Sequence, residues 1–228
     1  MTSDPGGPGS AARSLYPFLN PAAADLDTVL AEVRRSTAAK AHEIIELRAV
    51  VLARDGERLL SCAEEMARRF AEGGRLLAFG NGGSATDAQQ VTTLFLNPGG
   101  GMWALPAMGL ANDTSVVTAL CNDIGVDVVF SRQIAAFARA GDIAMGMSTS
   151  GNSANLLRAF DEAHRRRLLT IGIAGYEGGK MAELDSLDYL FVVPSASVHR
   201  IQEAQTTIYH ALWELTLEEL SGTGSARA

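Results

Sequence analysis

The residues with most chemistry to offer lie in one short stretch, Met145-Gly-Met-Ser-Thr-Ser-Gly-Asn-Ser153. Ser148, Thr149, Ser150 and Ser153 put four hydroxyls into its last six residues. An apolar run, Ile143 to Met147, precedes them and reads as a buried strand. Leu156, Leu157 and Phe160 follow at helical spacing. A strand that ends in a small, hydroxyl-rich turn before a helix leaves backbone N–H groups facing outward at the positive end of the helix dipole. That arrangement favours anions, phosphate above all. Ser, Thr, Gly and Asn are also ordinary turn and capping residues, so the stretch alone leaves both readings open.

A second loop strengthens the anion reading. Arg75-Leu-Leu-Ala-Phe79 is another strand candidate, followed by Gly80-Asn-Gly-Gly-Ser84 and a helical pattern from Ala85. Ser84 and Asp87 have capping-box spacing, which predicts the helix start there. In an open parallel sheet, two such strand–loop–helix units bring their loops together at the carboxyl ends of the strands, where ligands bind. Gly80-x-Gly82-x-x-Ala85 matches the dinucleotide fingerprint formally. The acid that fingerprint requires about 20 residues on is missing around Gly99 to Trp103, and no Walker Gly-Lys-Ser/Thr occurs. A small phosphorylated metabolite fits better than a nucleotide.

The elements that must position these loops are legible as an alternation from Arg75 onward. Strands are expected at 75–79, 103–109, 142–147, 168–174 and 188–193. Helices are expected near 85–96, 113–122, 127–139, 154–166 and 201–220. The strands are near-continuous apolar runs, as in a sheet covered on both faces, so the economical topology is five parallel strands with helices on both sides. Ahead of them, Pro21 to about Ala53 has helical periodicity through Leu26, Val29, Leu30 and Val33, and Glu57 to Glu72 reads as a further helix ended by Gly73-Gly74. These helices must bury their apolar stripes on the α/β core, on another subunit, or on both. The expected organisation is a disordered tail over 1–14, a helical extension over 15–56, the α/β domain over 57–221 and a second tail over 222–228.

Composition narrows the partners. Of the 228 residues, 47% are hydrophobic, enough for a sizeable core. The net charge is −7 with no long Lys/Arg block, which argues against nucleic acid as a direct partner. Cys62 and Cys121 lack metal-ligand spacing and read as buried free thiols in a reducing compartment. No segment is long and apolar enough to span a membrane, and the N-terminus lacks the order of a signal peptide. A cytoplasmic protein without a membrane partner is expected.

Five motifs, Gly80-Asn-Gly-Gly-Ser84 with Asp87-Ala88, Cys121-Asn-Asp123, Ser148-Thr-Ser-Gly-Asn-Ser-Ala-Asn155, Gly178-Gly-Lys-Met181 and Arg200-Ile-Gln-Glu203, resemble those of the sugar isomerase (SIS) domain family, in its order and spacing over roughly Glu57 to Leu220. The nearest likeness is to the phosphoheptose (sedoheptulose 7-phosphate) isomerase branch. The resemblance implies a flavodoxin-like, three-layer αβα sandwich and a homotetramer with active sites between subunits. It implies conversion of a ketose phosphate to an aldose phosphate through an enediol, with a heptose 7-phosphate as the substrate class. It places phosphate on Ser148, Thr149, Ser150 and Ser153, helped by Ser84. Sugar hydroxyls and carbonyl fall on Asn81, Gly82, Gly83, Asn122 and Asp123, with Gln202 in the substrate site.

The sequence departs from the branch at its zinc site. There the helix after the glycine loop carries a His and, four residues on, a Glu, and the last helix supplies a Gln and a His eight apart. Gln202 and His210 match the second pair, as metal ligands and catalytic residues. Gln90 and Leu94 occupy the positions of the first. A catalytic zinc takes three ligands from His, carboxylate or Cys, so weak zinc binding or none is expected. Losing a positioned base removes on the order of 10²–10⁴ in rate. Glu203, Asp123 and Glu43 are the nearest replacement carboxylates.

Structural readings stand beside these. His210 lies near Ile208 and Leu212 and serves equally as a hydrogen-bonded structural His. Gln202 and Glu203 also suit a solvated or interface face. Leu94 beside Phe95 and Leu96 reads as core, and His42, His164 and His199 as surface or capping residues. Two function classes follow. One is an isomerase with an altered metal and base site. The other is a non-catalytic phosphosugar sensor or tetrameric scaffold, resembling the SIS proteins that bind the bacterial replication initiator.

Overall fold

The structure, a computed structural model, describes residues 26–99, 101–102 and 104–225. The expected N-terminal tail, the connector Leu15–Leu19 and Trp103 lie outside these residues. The chain divides into two compact units, 1–45 and 46–228. The described part of the first, residues 26–45, is the N-terminal portion of helix α1 (Leu26–Ala71). Its stripe of Leu26, Val29, Leu30 and Val33 is exposed.

Helix α1 runs unbroken through Asp55-Gly56, where two separate helices were expected. The reason is local. Asp55 is 2% exposed, and its carboxylate is held from its own helix by Arg54 at 2.6 Å and Arg58 at 3.3 Å. A glycine inside a helix costs about 1 kcal/mol. Burial of Leu59, Met66 and Phe70 on the same helix, at about 1.5–3 kcal/mol per large side chain, outweighs that.

The second unit holds one parallel sheet of β1 (Leu76–Gly80), β2 (Ala107–Gly109), β3 (Ile143–Ser148), β4 (Leu169–Gly175) and β5 (Tyr189–Val193), in the order β2-β1-β3-β4-β5. All five expected strands are present. The second is shorter than 103–109 because the residues before it spend their backbone elsewhere. Pro106 has no N–H to donate, and the Leu105 N–H goes to Phe95 O at 2.9 Å.

Among the described residues, α2 (Gly83–Leu96) follows β1, α3 (Thr114–Asp123) and α4 (Val129–Phe137) follow β2, α5 (Ala154–Arg165) follows β3 and α6 (Val198–Ser225) follows β5. On one face of the sheet Leu77, Phe79 and Ala144 pack with Phe130 and Ile134 of α4 and Leu156 and Phe160 of α5. The Phe79 ring lies 5.5 Å from Phe130 and 5.2 Å from Phe160. On the other face α2 and α6 cover the sheet, joined by the C-terminal part of α1 through Phe70 on Phe95 at 5.3 Å and Met66 against Thr216. This is the three-layer α/β sandwich expected. Among the described residues, no helix is long and apolar enough to cross a membrane. Both cysteines are free, but only Cys62 is buried, its thiol pushed up by burial. Cys121 is partly exposed.

Candidate functional site

Strand order reverses between β1 and β3, so the loops that leave these two adjacent strands flank the switch point where open α/β sheets bind ligands. The hydroxyl loop leaves β3. Ser148 is 5% exposed, and its Oγ accepts from Gly151 N at 3.1 Å and lies 3.4 Å from Ser153 Oγ. Ser153 is the N-cap of α5, yet its side chain makes no cap hydrogen bond, being turned toward Ser148. The first N–H groups of α5 therefore keep their dipole end uncapped by a side chain. Thr149, Ser150 and Ser153 are half-buried, open enough to meet a ligand.

The turn after β4 braces this loop. Met181 N donates to Gly151 O and Lys180 N to Asn152 Oδ1, both at 3.0 Å. Gly151 has φ +66, and a Cβ there would stand 1.9 Å from Gly178 O. The loop shape thus depends on glycine at 151. Beside it opens a cleft of about 710 Å³ lined by Ser150, Asn152, Glu177 and Pro194.

The glycine loop leaves β1 and is tied by an amide pair to the first turn of α5, just past the hydroxyl loop. Asn81 Nδ2 donates to Asn155 Oδ1 and Asn155 Nδ2 to Asn81 Oδ1, both at 2.9 Å. Helix α2 starts at Gly83 with Gly82 as N-cap and no side-chain cap hydrogen bond. This corrects the expected capping box: Gly82, at φ 55, turns the chain itself, and Ser84 falls inside the first turn, 5% exposed. Asp87 is then free of a capping role.

Helix α6 brings Gln202 over this loop. A Cβ on Gly83 would stand 2.2 Å from Gln202 Nε2, so only glycine admits the amide. One turn on, the Thr206 hydroxyl donates back to Gln202 O at 3.0 Å. Between them, fully buried Gln205 reaches Ser148 O at 3.4 Å and Ile173 O at 3.3 Å, joining α6 to the ends of β3 and β4. His210 stacks on Tyr209 at 5.2 Å and meets Trp213 edge-on at 6.2 Å. Four sealed polar atoms from α2 and α6 have no hydrogen-bond partner among the described residues: Asp87 Oδ2, Gln205 Oε1, Tyr209 Oη and Trp213 Nε1.

Other expected residues stand apart. Asn122 and Asp123 are exposed at the end of α3, where Asn122 Nδ2 donates to Asp123 Oδ1 at 2.9 Å. Gln90 is exposed. Leu94, read as core, is only half-buried, while Phe95 beside it is fully buried and Leu96 exposed. His42, His164 and His199 are on the surface, as expected. The donors do not fit a zinc ion: His210 offers one imidazole, Gln202 and Gln90 offer neutral amides, and Leu94 offers nothing. Among the described residues no three His, Cys, Asp or Glu side chains form a metal-binding group.

Asn155, Gln205 and Asp87 are not singled out as site residues by the sequence. Gln205 carries a signal, a polar residue on the apolar stripe of Ile201, Ala204 and Ile208. Asp87 is hidden by its capping-box spacing.

Comparison with known proteins bears on this site. The SIS domain profile matches residues 41–175. The phosphoheptose isomerase of Aquifex aeolicus is 40% identical over 167 residues, 71% of this chain and 84% of that protein. The solved structure of phosphoheptose isomerase GmhA from Neisseria gonorrhoeae is 38% identical, with a TM-score of 0.75 over 82% of this chain and 99% of that one. A phosphoheptose isomerase from Francisella tularensis is 30% identical, with a TM-score of 0.73 over 83% of this chain and 98% of that one.

Proposed function

Because the chain belongs to the SIS domain family, we propose that it binds a phosphorylated sugar between the hydroxyl and glycine loops and interconverts its ketose and aldose forms, with sedoheptulose 7-phosphate as the substrate class. The observation that supports this reading is the Asn81–Asn155 pair, which ties the glycine loop to the start of α5 at the switch point. The naming of its relatives as phosphoheptose isomerases supports the substrate class. Ser148, Thr149, Ser150 and Ser153, with Ser84, take the phosphate at the start of α5. Asn81, Gly82, Gly83, Asn122, Asp123 and Gln202 take the sugar, and His210 with Gln202 serves its oxygens. The working assembly is a homotetramer, which light scattering on the purified protein checks.

A second reading keeps the binding and drops the reaction: a phosphosugar sensor or scaffold. Leu94, which presents no acid, base or ligand atom, favours it. Calorimetric titration with sedoheptulose 7-phosphate tests the shared part. Wild type should bind, and Ser150→Ala and Ser153→Ala should bind more weakly; equal affinities would reject the phosphate site. An isomerase assay with and without added zinc separates the two readings.

A further inference from the structure

Asp87 is a carboxylate in a costly place. It lies on α2, four residues past Gly83, on the helix that leaves the glycine loop. Its Oδ2 is sealed and accepts no hydrogen bond from the described residues, while the residue as a whole is partly exposed. Among the described residues no cation pairs with it. The strands under α2, β1 (Leu-Leu-Ala-Phe-Gly), β2 (Ala-Met-Gly) and β3 (Ile-Ala-Met-Gly-Met-Ser), bring no charge. From α6 the facing titratable group is Tyr209, whose phenol feels the Asp87 charge, with His210 stacked on its ring.

Burial alone pushes the Asp87 carboxyl up to about 6. A buried, uncompensated carboxylate costs stability, and groups held at such a cost gather where proton chemistry is done. The alternatives are worse placed. Glu203 is exposed and pairs with Arg200 at 2.5 Å. Asp123 is exposed and occupied by Asn122. Glu43 lies in the first unit.

We propose that Asp87 is the acid–base residue of the glycine-loop site, carrying a proton between adjacent carbons of the bound phosphosugar. The inference rests on the isomerase reading above. The carboxylate takes a proton from C1 of the ketose. The C1–H bond breaks, its electron pair forms C1=C2, and the carbonyl pair closes onto O2, which takes a proton from solvent. The O1 proton then leaves to solvent as C1=O1 forms, and the C1=C2 pair takes the proton back from the Asp87 carboxyl to make C2–H. Protons exchanged with solvent cancel, the carboxylate ends as it began, and no electrons are gained or lost. A group that titrates near the working pH suits both halves of this exchange.

The test reads binding and proton transfer separately on the full chain. Sedoheptulose 7-phosphate affinity is measured by calorimetry, and uptake of deuterium from D2O beside the sugar carbonyl by NMR. Asp87→Asn should bind within about threefold of wild type and lose exchange by about 10²–10⁴. Asp87→Glu should recover part of it, and the acid limb of the wild-type kcat/KM profile should fall near pH 6. Exchange in Asp87→Asn within about tenfold of wild type would overturn the assignment. So would a wild type that binds without exchanging, which leaves the binding site standing. A wild type that does not bind removes the phosphosugar reading and this inference with it.

Discussion

Asn81 and Asn155 exchange two hydrogen bonds of 2.9 Å across 74 residues of chain, and by doing so they lock the loop after β1 to the helix after β3. The two segments proposed to bind the phosphosugar are thereby held side by side. Asn155 is 4% exposed, so its amide has no water to fall back on.

Asn155→Ala should therefore lower stability by about 1–2 kcal/mol, the net worth of two neutral hydrogen bonds. Phosphosugar affinity should fall as well, because the loops lose their relative position. Urea denaturation and calorimetry on the same preparation read both. Unchanged affinity would mean that the loops hold their places independently.

At Gly83 the expected outcome is different. A Cβ there meets the far end of Gln202, a flexible side chain, and not backbone. Gly83→Ala should leave the fold near wild-type stability while swinging Gln202 out of place and weakening sugar binding. The double variant with Gln202→Ala should bind no worse than Gln202→Ala alone, since the two changes act through one contact. Additive losses in that cycle would reject the contact as the cause.

Gly151→Ala collides with main chain, where nothing can rotate away. Its φ of +66 is unfavourable for alanine, and Gly178 O stands 1.9 Å from the new Cβ. Strain of this kind costs on the order of 1–3 kcal/mol, and relief requires the turn at Gly178 to move. Thermal unfolding should show a lower Tm, and phosphate-dependent stabilisation should disappear.

Asp87 makes stability depend on pH in an unusual direction for a carboxylate. Its folded value of about 6 lies above the unfolded value of 3.8, so the folded chain holds the proton more tightly. The stabilisation is fully present below pH 3.8 and is lost as pH rises through about 6. After discounting for its partial exposure, the effect is about 1 kcal/mol. Asp87→Asn should be more stable than wild type by about that amount at pH 8 and should lose the advantage toward pH 4. Chemical denaturation at the two pH values checks this; a constant difference would show that Asp87 titrates normally.

Sequence pattern revealed the sheet because β1, β3 and β4 are buried along their whole length, and a strand covered on both faces writes itself as an apolar run. It revealed both loops because small and hydroxyl residues interrupt those runs. It misplaced the start of α2, since a glycine at φ 55 does at Gly82 what a serine side chain does elsewhere. It broke α1 at Gly56, where Arg54 and Arg58 clamp Asp55 from within the helix. Partners were the least legible. Gln205 bonds to carbonyls 57 and 32 residues away, and periodicity reports which face a side chain shares, not what it touches.

The turn that follows β4 grips the hydroxyl loop with its own main chain: Met181 N on Gly151 O, Lys180 N on Asn152 Oδ1, Gly178 O against Gly151. Its side chains are bystanders to that grip. Glu177, exposed at the cleft beside Ser150, and Lys180, also exposed, can be exchanged while the hydroxyl loop keeps its shape. If the hydroxyl loop binds phosphate as proposed, the contacts that shape it are main-chain ones, and the side chains at 177 and 180 are where ligand preference can be varied without disturbing them.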